Sequence, residues 1–434
     1  MATHPSTTHN LANPVDLLKP LNPVNPVNPV NSLNPISSSS PPRGRDIAAR
    51  VEAFVREHIV PFERDSRCGA HGPAEGLVIE LRALARGAGL MTPHILPDGS
   101  HLTHVETAQV LRAAGLSMLG PVALNVMAPD EGNMFLLGRV ASVEQKQRFL
   151  APLVAGHVRS AFFMTEPAAE GGAGSDPSML MTSARQDGNA WVLNGRKAFI
   201  TGAEGARVGI VMARAEIGET MAGATMFLVD LPDPALRIER ILDTIDSSMP
   251  GGHAVVAIEN LRVPAEQVLG EPGAGFKYAQ VRLAPARLTH CMRWLGACTR
   301  AQEIATDYAV RRQAFGKPLI EHEGVGFMLA DNRIELQQAA LMIDWCAGVL
   351  DSGAHGTVES SMAKVAVSEA LFRIADRCVQ VMGGTGVSGD SIVEQVFREV
   401  RAFRIYDGPT EVHKWSVAKK IQAEALKKRA AGVA

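Results

Sequence analysis

The chain has 434 residues, and its 43 Lys plus Arg stand against 45 Asp plus Glu for a formal net charge of -2. That balance argues against nucleic acid or an anionic membrane as a partner, and the length suffices for roughly two or three packed units. Cysteines at 68, 291, 298, 346 and 378 form no CxxC pair and read as reduced thiols, while no apolar run is long enough for a spanning helix.

Residues 1–42 differ in composition from the rest. The stretch LNPVNPVNPVNSLNPISSSSPP repeats Asn-Pro-Val and has few bulky side chains to bury, so it is expected to form a disordered Asn/Pro/Ser-rich tail. Its basic residue besides two histidines is Lys19, which fits neither a mitochondrial leader nor a signal peptide.

From Arg43 the pattern turns helical. Ile47, Val51, Phe54 and Val55 share a stripe that Pro61 ends, and further amphipathic runs cover 74–88, 104–114 and 143–154. Together they predict an N-terminal helical domain over 43–158. At Arg159 the texture changes: AWVLNGRKAFIT, VGIVMARA, ATMFLVD and GGHAVVAIENLRVP are short runs rich in Val, Ile and Phe between turn residues. They predict a middle antiparallel β domain over 159–271. No Gly-rich strand-to-helix phosphate signature accompanies them, which argues against a parallel nucleotide-binding fold.

Beyond residue 272 long helical periods return. A helix over 274–298 and stripes through Ala301, Ile304, Ala305 and Tyr308, through Phe327, Ala330, Ile334, Leu341 and Trp345, and through Ala363, Val367, Ala370, Ile374 and Cys378 predict a C-terminal four-helix bundle over 272–423. A flexible tail over 424–434 is expected to follow. The fold class is therefore α+β, in the order helices, sheet, helices. Small residues at 296–305 fit either a deep channel or close helix packing.

Five pieces in this order, FFMTEP with GGAGSD, VLNGRKAFITGA, RRQAFGKPLIEHEGVGFMLAD, QVMGGTGVSGD and RIYDGPTEV, resemble the acyl-CoA dehydrogenase family over residues 45–423. The resemblance implies non-covalent FAD, an acyl-CoA substrate and a trans-2-enoyl-CoA product. It also implies an electron-transfer flavoprotein as acceptor and a homodimer or homotetramer. The expected location is the cytoplasm in a bacterium, and the mitochondrion or peroxisome in a eukaryote.

The resemblance further implies that Asp407 is the base that removes the α-proton, where many members carry glutamate, and that Gly408, Arg287 and Ser175 meet the substrate. Burial is expected to raise the Asp407 pKa above its reference of about 3.9. For the flavin the matching positions are Thr165, Gly174 and Ser175, then Phe199 and Thr201, whose hydroxyl would approach flavin N5. Arg312 would pair with the pyrophosphate of a neighbouring subunit's FAD, with Gln313 and Phe315 near its adenosine half. Gln380, Gly383 and Gly384 would reach the adenine end. Thr410 and Glu411 would meet the pyrophosphate through their backbone at a helix start, since the Glu411 carboxylate would repel phosphate. Two relatives of this chemistry remain open on the same residues: a nitroalkane-oxidase-like enzyme with Asp407 as base, and a non-catalytic CoA-binding member.

Overall fold

The computed structural model describes residues 42–168, 174, 176, 179–217 and 220–431; the tail before them and Ser175 lie outside the described residues. Helices α1 (Pro42–Phe54), α2 (Glu75–Gly87), α3 (His104–Ala114) and α4 (Asp130–Val140) make the first layer, followed by a helical stretch through 143–154. Thr103 and Glu106 close a reciprocal cap at the start of α3, so the chain signals its own helix start there.

The middle sheet has seven strands: β1 (Arg159–Phe163), β2 (Ser183–Asp187), β3 (Ala190–Thr201), β4 (Ala206–Ile217), β5 (Thr220–Asp230), β6 (Leu236–Leu242) and β7 (His253–Pro264). It is mixed, not purely antiparallel as the sequence predicts. Strands β1 and β2 both run parallel to β4, at successive positions of one edge, while β5 takes the other edge antiparallel. Alternation along a strand reports which face is buried and says nothing of a neighbour's direction, so the sequence pattern missed this. The consequence is positional: the connection from Phe163 to Ser183 bridges two strands that share one edge.

One face of the sheet closes over Phe163, Trp191, Val211, Phe227 and Val256. The other, with Ile210, Met212, Met226 and Leu228, packs on Met134, Leu137 and Phe149 of the first layer and on Ala279 of the next helix.

Helix α5 (Gly275–Arg311) is continuous for 37 residues, with Pro285 inside it. The predicted helix over 274–298 and the Ala301–Tyr308 stripe are thus one element. Helix α6 (Glu323–Asp351) and α7 (Thr357–Met382) follow, and α7 packs against α5, α6, α8 (Val393–Phe403) and α9 (Thr410–Ala430). The fourth long helix is therefore α9, which continues to Ala430 where a flexible tail was expected. On α6 the predicted stripe is also corrected. Leu336, Ala340, Ile343 and Cys346 face inward, whereas Phe327, Ile334, Leu341 and Trp345 are exposed. Among the described residues no helix is long and apolar enough to cross a membrane.

Small residues at 296–305 serve close packing. Ala297, Ala301 and Ala305 are fully buried, and a Cβ at Gly296 would lie 2.2 Å from the Arg112 carbonyl of α3. Gly296→Ala is expected to destabilise the protein by about 1–3 kcal/mol through overpacking, read as a lower urea midpoint.

Between sheet and bundle, Glu399 of α8 is buried and accepts from Ser247 N at 2.6 Å and Ser248 Oγ at 2.7 Å. Burial, outweighing these bonds, pushes its carboxyl from 4.5 up to about 7. A native pKa raised above the unfolded one means the folded state holds the extra proton between those values. Glu399 therefore costs nothing below pH 4.5 and destabilises progressively up to about pH 7. The slope is at most about 1.4 kcal/mol per pH unit. Relative to Glu399→Gln, wild-type stability is expected to fall across that window and to run parallel above it, measured by urea unfolding at several pH values.

Candidate active site

The turn between α8 and α9 carries Asp407, and its backbone is pinned from three helices. The Asp407 carbonyl accepts from Arg287 Nε at 3.1 Å and lies 3.0 Å from His413 Nε2, while the Gly408 carbonyl accepts from Lys364 Nζ at 2.8 Å. A carbonyl only accepts, so His413 carries its proton on Nε2, and its Nδ1 lies 3.0 Å from Ser361 Oγ, which also reaches the Thr357 carbonyl at 2.9 Å. Asp407 has φ +54 and Gly408 φ +102. Aspartate tolerates the left-handed region better than most residues, and at 408 a Cβ would lie 2.5 Å from His413 Nε2, so glycine is required.

The Asp407 carboxylate points into a basic shell. His290 Nε2 lies 3.3 Å from its Oδ2. Burial pushes the Asp407 carboxyl up, but the contact with His290 and the nearby charges of Arg282, Arg287 and Lys364 outweigh it and hold the group below the ordinary range. The expected upward shift is thus reversed. His290 itself, buried and beside Arg293, is pushed down to about 3 and is neutral near pH 7. With Nε2 donating to Asp407, its Nδ1 is a buried acceptor without a protein partner. Phe403 and Tyr406 pack on its ring, and Tyr406 Oη accepts from Trp294 Nε1 at 2.5 Å.

A break in the strand ladder shapes the opposite wall. Strand β3 pairs with β7 at Lys197↔Val256 and again at Ile200↔Ala254, so two residues of β3 face one of β7. Ala198 N turns instead to the Thr165 carbonyl at 2.9 Å, and Phe199 adopts φ +55 with 62% of its surface exposed. The Phe163–Ser183 connection is drawn to the same place by a buried pair. Lys197 Nζ lies 2.9 Å from Glu166 Oε1, with the side chains 0% and 2% exposed. Glu166 also accepts from Met181 N, Thr182 N and Thr182 Oγ1. Burial pushes Glu166 up, yet Lys197 and these donors bring it down to about 2, while burial takes Lys197 down to about 8 against the pull of Glu166. Just past the bulge, Thr201 Oγ1 meets His253 Nδ1 at 2.9 Å, and His253 Nε2 meets Asp246 Oδ2 at 2.9 Å.

Between these walls lies a cavity of about 950 Å³. It gathers Thr165, Gly174, Phe199, Thr201, Arg287, Asp407 and Gly408 from the predicted set. Arg312, Gln313, Phe315, Gln380, Gly383 and Gly384 lie outside it and are exposed. Thr410 is buried beneath the turn, donating to Glu369 at 2.7 Å, and Glu411 is exposed on α9. Sequence reasoning missed Arg282, His290, Lys364, His413, His253 and Asp246. A signal existed for α5: Arg282, Thr289, His290 and Arg293 fall on one helical face, and all four are buried.

Three models of the acyl-CoA dehydrogenase family match in succession: the N-terminal domain over residues 42–157, the middle domain over 161–250 and the C-terminal domain over 273–422. The chain belongs to the acyl-CoA dehydrogenase family. It is 36% identical over 388 residues to FadE2 of Mycobacterium tuberculosis, assigned as an acyl-CoA dehydrogenase, covering 86% of this chain and 94% of that one. It is 35% identical over 406 residues to acyl-CoA dehydrogenase family member 11 of Rattus norvegicus, covering 89% of this chain and 52% of the relative, so it spans about half the length of that protein. A solved Mycobacterium abscessus chain assigned to the acyl-CoA dehydrogenases superposes with a TM-score of 0.80 at 34% identity, over 89% of this chain and all of that one. Butyryl-CoA dehydrogenase of Megasphaera elsdenii gives 0.75 at 26% identity, over 88% and 98%.

FAD is the cofactor of this family member, and the cavity fits the ring end of it. A phenylalanine left largely uncovered on a strained bulge, beside a threonine hydroxyl, is a surface that a flat aromatic ring system would cover. The buried Glu166–Lys197 pair fixes that wall. Lys197→Met is expected to cost about 3–5 kcal/mol of stability, because it strands a buried carboxylate. Adding Glu166→Gln is expected to restore much of the loss, measured by chemical unfolding of the single and double variants.

Proposed function

We propose that this FAD-dependent oxidoreductase dehydrogenates a saturated acyl-CoA to its trans-2-enoyl thioester, with Asp407 as the base. The reading is carried by one observation: the Asp407 carboxylate shares a single cavity with Phe199 and Thr201 on the bulged strand. FAD, when bound, supplies hydride acceptance. Thr165, Gly174, Ser175, Phe199 and Thr201 would hold its ring end and the start of its phosphates. Thr410 and Glu411 would help through the backbone at the α9 start, and Arg312, Gln313, Phe315, Gln380, Gly383 and Gly384 through contacts made across a subunit boundary.

Asp407 takes the α-proton at its free carboxylate oxygen. Its low pKa makes it a weak base, so the reaction gains from stabilising the enolate charge that replaces the proton. Arg282, Arg287 and Lys364 supply that positive field in a buried setting, where it acts more strongly than in water. Arg287 acts first through the backbone of residue 407, holding the turn against the thioester, with Gly408 beside it; Ser175 is a further proposed substrate contact. The exposed row Phe327, Ile334, Leu341 and Trp345 supports association into a homodimer or homotetramer. An electron-transfer flavoprotein is the proposed acceptor.

Anaerobic mixing of the FAD-loaded protein with palmitoyl-CoA, and separately with nitroethane, tests the reaction. Bleaching of flavin absorbance by the thioester is expected; bleaching by nitroethane alone would assign it to nitroalkane oxidation, and by neither to a CoA-binding role. Asp407→Asn is expected to keep FAD and to slow the thioester-driven bleaching at least about a hundredfold. Reduction at the wild-type rate would remove Asp407 from the base role.

A further inference from the structure

Thr201 and His253 are register partners on β3 and β7, one step beyond the bulge that forms the cavity wall. Asp246 comes next, its side chain 5% exposed against 13% for His253, and both also line the cavity. Burial pushes the Asp246 carboxyl up, but its bond to His253 and the Thr244 hydroxyl outweigh this and keep it ionised. The chain Thr201 Oγ1, His253 Nδ1, His253 Nε2, Asp246 Oδ2, with both links 2.9 Å, therefore has a definite direction.

An ionised carboxylate only accepts, so the hydrogen of His253 resides on Nε2. In the neutral imidazole Nδ1 is then an acceptor, and the Thr201 hydroxyl must donate to it. Its own hydrogen is committed to His253. What Thr201 offers the cavity is a lone pair. Other charged or titratable groups around this pair are Glu399 and Arg398 of α8 and the buried Tyr406, on each of which the Asp246 charge acts, and His71, which lies beside Gly252 and 3.8 Å from Asp243.

We propose that Asp246 and His253 are positioning residues that hold Thr201 as a hydrogen-bond acceptor toward the cavity and thereby favour the reduced form of the cofactor. This rests on the reading that the flavin ring lies against Thr201. An oxidised flavin presents a bare ring nitrogen, which a hydroxyl lone pair opposes; a reduced flavin presents N–H at the same place, which that lone pair accepts. Without the carboxylate, the histidine can carry its hydrogen on Nδ1 and donate it to Thr201, whose hydroxyl then turns into a donor and favours the oxidised form.

The test is the two-electron midpoint potential of the FAD-loaded protein at about pH 8, above the Glu399 pKa of about 7. Asp246→Asn is expected to shift the oxidised-to-reduced ratio about tenfold toward oxidised at a fixed poise, about 30 mV downward for a two-electron couple. The direction is diagnostic, because removing a negative charge near a flavin without the relay would shift the potential upward. In a Thr201→Val background, Asp246→Asn is expected to produce no downward shift. If Asp246→Asn does not fold, His253→Gln, which removes the Nδ1 acceptor, is expected to lower the potential in its place. An unchanged or raised potential in the folded variant, or an equal drop in the Thr201→Val background, would overturn the proposal. Failure of the underlying reading looks different: Thr201→Val alone would then leave the flavin spectrum and potential unmoved.

Discussion

The site depends on a short turn whose carbonyls are bonded to cations and imidazole. Residues 407 and 408 sit in left-handed backbone, which costs energy for a non-glycine residue, and they stay there because Arg287, Lys364 and His413 reach their carbonyls from α5, α7 and α9. Each donor is itself held: His413 by Ser361, and the helices by packing around α7. The side chain of Asp407 is thereby aimed by bonds made to its backbone. On the proposed base role, this arrangement would let an acid shorter than glutamate serve, since reach is set by the turn and the side chain needs few torsions to complete it.

The opposite wall is built on the same plan, a backbone departure fixed by buried charge. Two residues of β3 facing one of β7 free Ala198 N to bond the Thr165 carbonyl, which ties the strand to the connection that carries the Gly-rich segment. The mixed sheet matters here. Because β1 and β2 follow one another along a single edge of β4, the connection between them has to leave the sheet and return to it, and Glu166 anchors its two ends through Lys197 on one side and Met181 and Thr182 on the other. An isolated carboxylate or ammonium would be expensive at that depth. Paired and fully bonded, the two specify a geometry that apolar packing would leave loose.

The layer order was legible because helical and strand periods differ strongly at Arg159 and again past residue 272. Strand direction was not, since a buried strand has the same alternation whichever way its neighbour runs. The α6 stripe failed for a related reason. Phe327, Ile334, Leu341 and Trp345 are apolar at helical spacing, but α6 has two apolar faces, and the inner one mixes Leu329, Leu336 and Ile343 with small residues such as Ala339, Ala340 and Cys346. The two aromatic residues drew attention to the wrong side. At the site, Thr165, Phe199, Thr201, Arg287 and Asp407 could be read from local strings and do share a cavity. His253, Asp246, Lys364 and His413 could not, because each lies in an ordinary strand, loop or helix string and acquires its role through contacts with residues distant in sequence.

The lowered pKa of Asp407 follows from the way the turn is built. Two of the three side chains that pin the turn's carbonyls are cations, and Arg287 and Lys364 act within the field of the carboxylate they position. Replacing them by neutral donors would make the acid more basic, but it would loosen the backbone that aims it. In the proposed proton transfer the same cations would remain in place as negative charge moves from the carboxylate to the substrate, returning to its product what they withhold from the proposed base. The burial penalty they carry is shared out. Arg282 bonds Asn133 at 2.9 Å and lies over the Phe162 ring at 4.2 Å, while Arg293 donates to the Val126 carbonyl and sits 3.6 Å from Glu131. A positive shell of this kind can exist inside a helical bundle because Arg282 and Arg293 are held by partners from the first helical layer and the sheet, while Arg287 and Lys364 bond the turn itself.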